Sequence, residues 1–97
     1  MEYIVETIEQ FDEWRASLRD VRVKAAVARR LEQVEQGNFG DHKVFDNGVS
    51  EMRIHLGAGW RLYYTIRNRQ VVFLLCGGNK SSQKADIKLA VELAKEL

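Results

Sequence analysis

The chain has 97 residues, enough for one domain and too few for two, so residues 1–97 are read as a single unit. Hydrophobic residues make up 45% of it, the share of an ordinary globular domain, and no apolar run nears the roughly 20 residues of a membrane helix. The net charge of +1 is unevenly divided: residues 1–50 carry seven Lys/Arg and ten Asp/Glu, residues 51–97 eight and four, or −3 against +4. A positive second half suits an anionic partner, although solvated helix faces also vary in charge. Met1-Glu2-Tyr3-Ile4 lacks the basic and apolar regions of a signal peptide, and Cys76, the lone cysteine, cannot form an internal disulfide. Both features favour the cytoplasm.

Residues 2–6 read as a short strand because Tyr3, Ile4 and Val5 favour the extended state. Thr7-x-x-Gln10 has the form of a capping box, and Phe11, Trp14 and Leu18 follow at helical spacing, which predicts a first helix near 8–19. Asp20 can cap a second helix with Val23, Val27, Leu31 and Val34 as its buried stripe and Gly37 as its stop. The short break between them predicts an antiparallel helical hairpin. Lys43-Val44-Phe45 opens a strand and Asn47-Gly48 signals a tight turn.

The next segments alternate. Met52, Ile54 and Leu56 point inward while Glu51, Arg53 and His55 point outward; Leu62, Tyr64 and Ile66 repeat the first pattern, and Arg61, Tyr63, Thr65 and Arg67 the second. A three-residue loop, Gly57-Ala58-Gly59, sets Arg53 opposite Tyr63 and His55 opposite Arg61. Asn68-Arg69 makes the next turn. Val71 to Cys76 is apolar without alternation, as in a central strand covered on both faces. A polar loop, 77–82, leads to a last helix with Ile87, Ala90, Val91, Ala94 and Leu97 inward. The order predicts an α+β domain: an N-terminal strand and helical hairpin on an antiparallel sheet of about four strands, a C-terminal helix, and the helices on one face.

Between Arg53 and Lys88 stand seven Lys/Arg and one acid, Asp86, and these cations are spread along strands and a loop. That is the pattern of a sheet across which a polyanion lies. Arg53 and Arg61 can be solvated arginines; they are also the residue type that binds phosphate in a bidentate manner at any pH. RNA cleavage through the 2′-hydroxyl needs a cation at the scissile phosphate, a proton acceptor and a proton donor, and no metal or other cofactor. Lys80 is the candidate for a second phosphate contact, although it equally suits an ordinary polar loop, and Lys84 follows it at the start of the last helix. Asp86, His55 and Tyr63 are the acid–base candidates, although Asp86 equally suits a helix first turn and His55 a surface near a turn. Arg67 and Tyr63 share the outward face, and Trp60 beside Arg61 either packs or stacks on a base. The Gly77–Ser81 loop lacks P-loop spacing, and two histidines and one distant cysteine make no metal site.

Nearly the whole chain resembles the phage-derived Gp49-like, HigB-type branch of the RelE/ParE toxin superfamily, the addiction module killer proteins. The resemblance is carried by Phe11-x-x-Trp14, Gly37-Asn38-Phe39-Gly40-Asp41, Gly48-Val49-Ser50-Glu51-Met52-Arg53-Ile54, Gly59-Trp60-Arg61-Leu62-Tyr63-Tyr64 and Leu74-Leu75-Cys76-Gly77-Gly78-Asn79-Lys80-Ser81-Ser82-Gln83. It implies a type II toxin that cuts mRNA on the ribosome and is neutralised by a cognate antitoxin with a helix-turn-helix domain, operator DNA being bound only through that antitoxin. The strand arginine that contacts the reacting phosphate in RelE-like members matches Arg61; the basic residues of the preceding strand and the strand exit match Arg53 and Lys80. The C-terminal tyrosine of RelE has no tyrosine counterpart, and Asp86 falls near its place. Two other functions fit such a chain: a ParE-like gyrase inhibitor without chemistry, and a non-catalytic module that binds the antitoxin and tunes repression.

Overall fold

A computed structural model describes residues 2–97. The chain runs β1 (Ile4–Thr7), α1 (Glu9–Ser17), α2 (Val21–Glu35), β2 (His42–Val44), β3 (Ser50–Ile54), β4 (Trp60–Arg67), β5 (Val71–Asn79), a single 3-10 turn (Lys80–Ser82) and α3 (Gln83–Lys95). The strands lie side by side as β1-β5-β4-β3-β2. β2 to β5 form the expected antiparallel sheet of four, and β1 adds to it as a fifth strand, parallel to β5. No helix among the described residues is long and apolar enough to cross a membrane.

Local chemistry accounts for most element ends. Asp20 caps α2 by accepting from the Arg22 N–H at 2.9 Å, and Gly37, at φ +90°, lets the chain leave that helix. Asn68 and Arg69, both at positive φ, are the central residues of the turn that the Gln70 N–H closes on the Arg67 carbonyl, inside the three-residue connection 68–70. The capping box does not form. Thr7 is paired with Leu74 in the sheet, so the helix starts one residue later from Ile8, which has no capping side chain. Strand pairing took the residue that the local motif needed.

The sheet has a core on each face, which corrects the expectation of helices on one face. Phe11, Leu18, Val23, Val27 and Val34 of the first two helices and their connection pack with Met52, Leu62, Tyr64, Val72 and Leu74. On the other face Ala90 and Ala94 of α3 pack with Val49, Tyr63, Leu75 and Cys76. The unbroken apolar run of β5 requires this second layer, since both of its faces must leave water. A bulge between Tyr63 and Tyr64 brings Tyr63 opposite Cys76 and Tyr64 opposite Leu74, leaving Leu75 as the extra residue. Tyr63, expected to point outward, is therefore buried beneath α3.

The β3–β4 hairpin also differs from its expected register. Arg53 pairs with Arg61 and Glu51 with Tyr63, so the loop spans 55–59 and His55 lies outside the ladder. Leu56 is drawn back toward the apolar core, its N–H donating to the Ile54 carbonyl, and Gly57 and Gly59 take the positive φ values that a five-residue return needs.

Candidate functional site

The sheet places Arg53 and Arg61 directly opposite one another, on the face that α3 half covers. Like charges directly opposite one another across a strand pair disfavour the pairing. Glu51 lies between them. It is fully buried, and its Oε2 accepts from Arg53 Nε at 3.2 Å. Its Oε1 accepts from Gln83 Nε2 of α3 at 2.8 Å and stands 3.4 Å from Arg61 Nε, an ion contact without hydrogen-bond geometry. One acid thus touches two strands and a helix. The Arg61 side chain retains 12% exposure and that of Arg53 30%, enough to meet a ligand at the surface.

A cleft of about 330 Å³ opens beside this pair, lined by His55, the 56–59 loop, Arg61 and Lys80. Lys80 is exposed at the exit of β5 and enters the cleft from the 3-10 turn. His55 lies on the cleft's hairpin side, and its Nε2 is 2.5 Å from Asp41 Oδ2. That hydrogen bond, helped by Arg53 at 3.8 Å, holds the Asp41 carboxyl below the usual carboxylate range. Asp41 is itself positioned by α2: the Arg30 guanidinium donates to the carbonyls of Phe39, Asp41 and Arg53, and burial lowers its pKa.

Asp86 is half-buried in the first turn of α3, where its Oδ2 accepts from Ser82 Oγ at 2.5 Å. Gly78, the partner of Arg61 in β5, makes that approach possible, because a Cβ there would fall on the Asp86 carboxylate and the Ser82 hydroxyl. Gly77 likewise admits the Trp14 ring. The two glycines thus seat side chains. The Tyr63 hydroxyl is buried without a hydrogen-bond partner, and burial, then the charges of Glu51 and Asp86, push its pKa far up.

Arg61, Lys80 and His55 therefore line one cleft, with Arg53 paired opposite Arg61 and Asp86 against Gly78, the partner of Arg61 in β5. Three other expected contacts do not join them. The Trp60 ring packs 6.3 Å from Trp14 on the α1 face, opposite Arg61, because successive strand residues point to opposite faces. Arg67 stands at the far end of β4, donating to the Ala94 carbonyl at 2.8 Å near the end of α3. Tyr63 is enclosed. Lys84 is exposed on the first turn of α3, one turn beyond Lys80. Sequence reasoning missed Glu51 and Gln83. The Glu51-x-Arg53 spacing put both on one strand face, but the burial of the acid depends on α3.

Residues 11–97 match the family model of the phage-derived protein Gp49-like. A Haemophilus influenzae protein, itself uncharacterized, is 44% identical over 93 residues, covering 96% of this chain and 94% of its own. Among solved structures, a mutant of the E. coli toxin RelE in the free state superposes with TM-score 0.72 at 21% identity, covering 95% of this chain and 97% of that one. The toxin–antitoxin complex RelBE2 of Mycobacterium tuberculosis gives 0.67 at 20% identity, covering 82% and 100%. The intact E. coli RelBE toxin–antitoxin complex gives 0.63 at 20%, covering 79% and 95%.

Proposed function

This chain belongs to the phage-derived Gp49-like family and has the fold of RelE, and from that premise we propose that it is the toxin of a type II toxin–antitoxin pair, an endonuclease acting on ribosome-bound mRNA. The observation that carries the reading is the meeting of Arg61 of β4 and Lys80 of the 3-10 turn at one cleft, with Arg53 of β3 paired directly opposite Arg61. A phosphodiester attacked by its own 2′-hydroxyl gains charge on its non-bridging oxygens, and paired guanidinium groups stabilise that charge. Arg61 and Arg53 take those oxygens. Lys80, across the cleft, donates a proton to the 5′-oxygen as its bond to phosphorus breaks. His55, oriented by Asp41, takes the 2′-hydroxyl proton, and the product is a 2′,3′-cyclic phosphate. Asp86 supports the α3 start beside Arg61, and Lys84 extends the cationic rim along the RNA. The chemistry uses side chains alone, with no metal.

A cleft of about 330 Å³ is small beside an RNA strand, so the ribosome supplies substrate geometry. The partner in the free cell is a cognate antitoxin, which carries a helix-turn-helix domain and brings the pair to operator DNA. RelBE complexes on the same fold support the antitoxin. Brief induction followed by primer extension on cellular mRNA tests the proposal. Cuts at codon boundaries, absent when the antitoxin is co-expressed, are the expected result. Growth arrest with intact transcripts and DNA-damage signalling would replace it with gyrase inhibition.

A further inference from the structure

The structure assigns to Glu51 the role of positioning residue for the cationic cleft, an inference that rests on the nuclease reading. Glu51 is fully buried, and both of its oxygens are occupied, Oε2 by Arg53 Nε and Oε1 by Gln83 Nε2 with Arg61 Nε alongside. A carboxylate so enclosed cannot reach a 2′-hydroxyl, so it does not exchange protons with the substrate. Its place in the register, opposite Tyr63 and two residues before Arg53, sets it beneath both guanidinium groups. It engages them through their Nε edges. Gln83 fixes the carboxylate from the side of α3, so its rotation is stopped by a third element. The negative charge offsets the repulsion between two facing arginines, and the fixed geometry holds Arg61 at the cleft with Arg53 beside it, so that the pair can act as one phosphate fork. Without it, each arginine would seek its own solvated rotamer and the pair would no longer match a single phosphate.

The test uses the full chain with ribosomes programmed with a defined mRNA, read in single turnover, together with the arginine Nε–H resonances of the free protein. Glu51→Gln, isosteric but uncharged, should lower the cleavage rate at saturating ribosomes about 30- to 100-fold, with under threefold change in the half-saturating concentration. Glu51→Asp, which keeps the charge on a shorter arm, should recover part of the loss; it also serves if the Gln variant folds poorly. The acid limb of the pH–rate profile should stay where it is in the wild type. In an Arg61→Ala background, Glu51→Gln should cost under threefold more, because the residue acts through that arginine. The Nε–H signals of Arg53 and Arg61 should be resolved in the wild type and collapse toward the solvent-exposed position in Glu51→Gln. Wild-type cleavage and unchanged signals in Glu51→Gln would overturn the inference, as would an additive double variant with a displaced acid limb, which would make Glu51 a proton acceptor. A wild-type protein that does not cut ribosome-bound mRNA overturns the nuclease reading instead, and the resonances still decide whether Glu51 clamps the arginines.

Discussion

Arg61 and Arg67 share one face of β4 and differ only in which end of the strand they occupy, about 20 Å apart at ~3.3 Å per residue. At the first end Arg61 is set against Arg53, joined by Lys80 across a cleft, and held over a buried acid. At the other end Arg67 donates to the Ala94 carbonyl, a second donor beside the Leu97 N–H near the end of α3. Equal charge on equal secondary structure thus serves binding at one end and helix capping at the other. A cation is available to a ligand where the fold gathers like charges, and is consumed where a helix end lies within reach.

The sharpest way to break this comparison is to remove each arginine in turn. Arg61→Ala should abolish growth arrest and lower cleavage on programmed ribosomes at least 100-fold, with the fold intact by circular dichroism and antitoxin binding retained. Toxicity equal to the wild type would remove Arg61 from the chemistry. Lys80→Ala should cost about tenfold in the same assay, since an exposed cation contributes through charge more than through fixed geometry. Gly78→Ala tests the close approach that seats α3 beside Arg61. The new methyl meets the Asp86 carboxylate, so calorimetry should show a loss of about 2 kcal/mol. Arg67→Ala should leave cleavage within twofold and lower stability by under about 1 kcal/mol, because the Ala94 carbonyl loses one donor and keeps the Leu97 N–H.

The smallest effect belongs to the face under α3. Burial, and then the charge of Asp86, push the Cys76 thiol from its ordinary 9.0 up to about 12. The unfolded thiol therefore loses its proton first as pH rises. The stability this group contributes is whole below pH 9 and drains away between pH 9 and about 12. Urea titrations should show Cys76→Ala with a shallower alkaline decline than the wild type, the difference staying under about 1 kcal/mol at pH 9.5. Tyr64, raised by burial to about 12, adds to the decline in both proteins. Equal slopes would mean that the thiol meets water.

Much of the fold was legible because its signals are local. The α2 stripe of Val23, Val27 and Val34, the Asp20 cap and the Asn68-Arg69 turn each depend on residues within a few positions of one another, and each is found as read. Reading failed where two elements compete for one residue. Thr7 suits a helix cap by its neighbours and a strand by its partner Leu74, and the ladder took it. The hairpin register failed for a related reason: the glycines marked a loop, while packing of Leu56 on the core set its length. The site was half legible. Alternation put Glu51, Arg53, Arg61 and Tyr63 on one face, but which of them meets water was decided by α3.

Residue order alone determined the sequence of helices and strands, the alternation of their side chains and the excess of positive charge in the second half, since these follow from backbone sterics, periodicity and composition; it ended β5 at Cys76, where pairing with β4 carries the strand on to Asn79. Tertiary structure alone decided that α3 crosses to the face opposite α1 and α2, that Tyr63 and Glu51 are shut from solvent, and that Arg53 faces Arg61. The physical reason is burial. β5 is apolar on both sides and must be covered twice, and the helix that covers its second side determines which polar groups of the neighbouring strands are sealed in and which remain open to a phosphate.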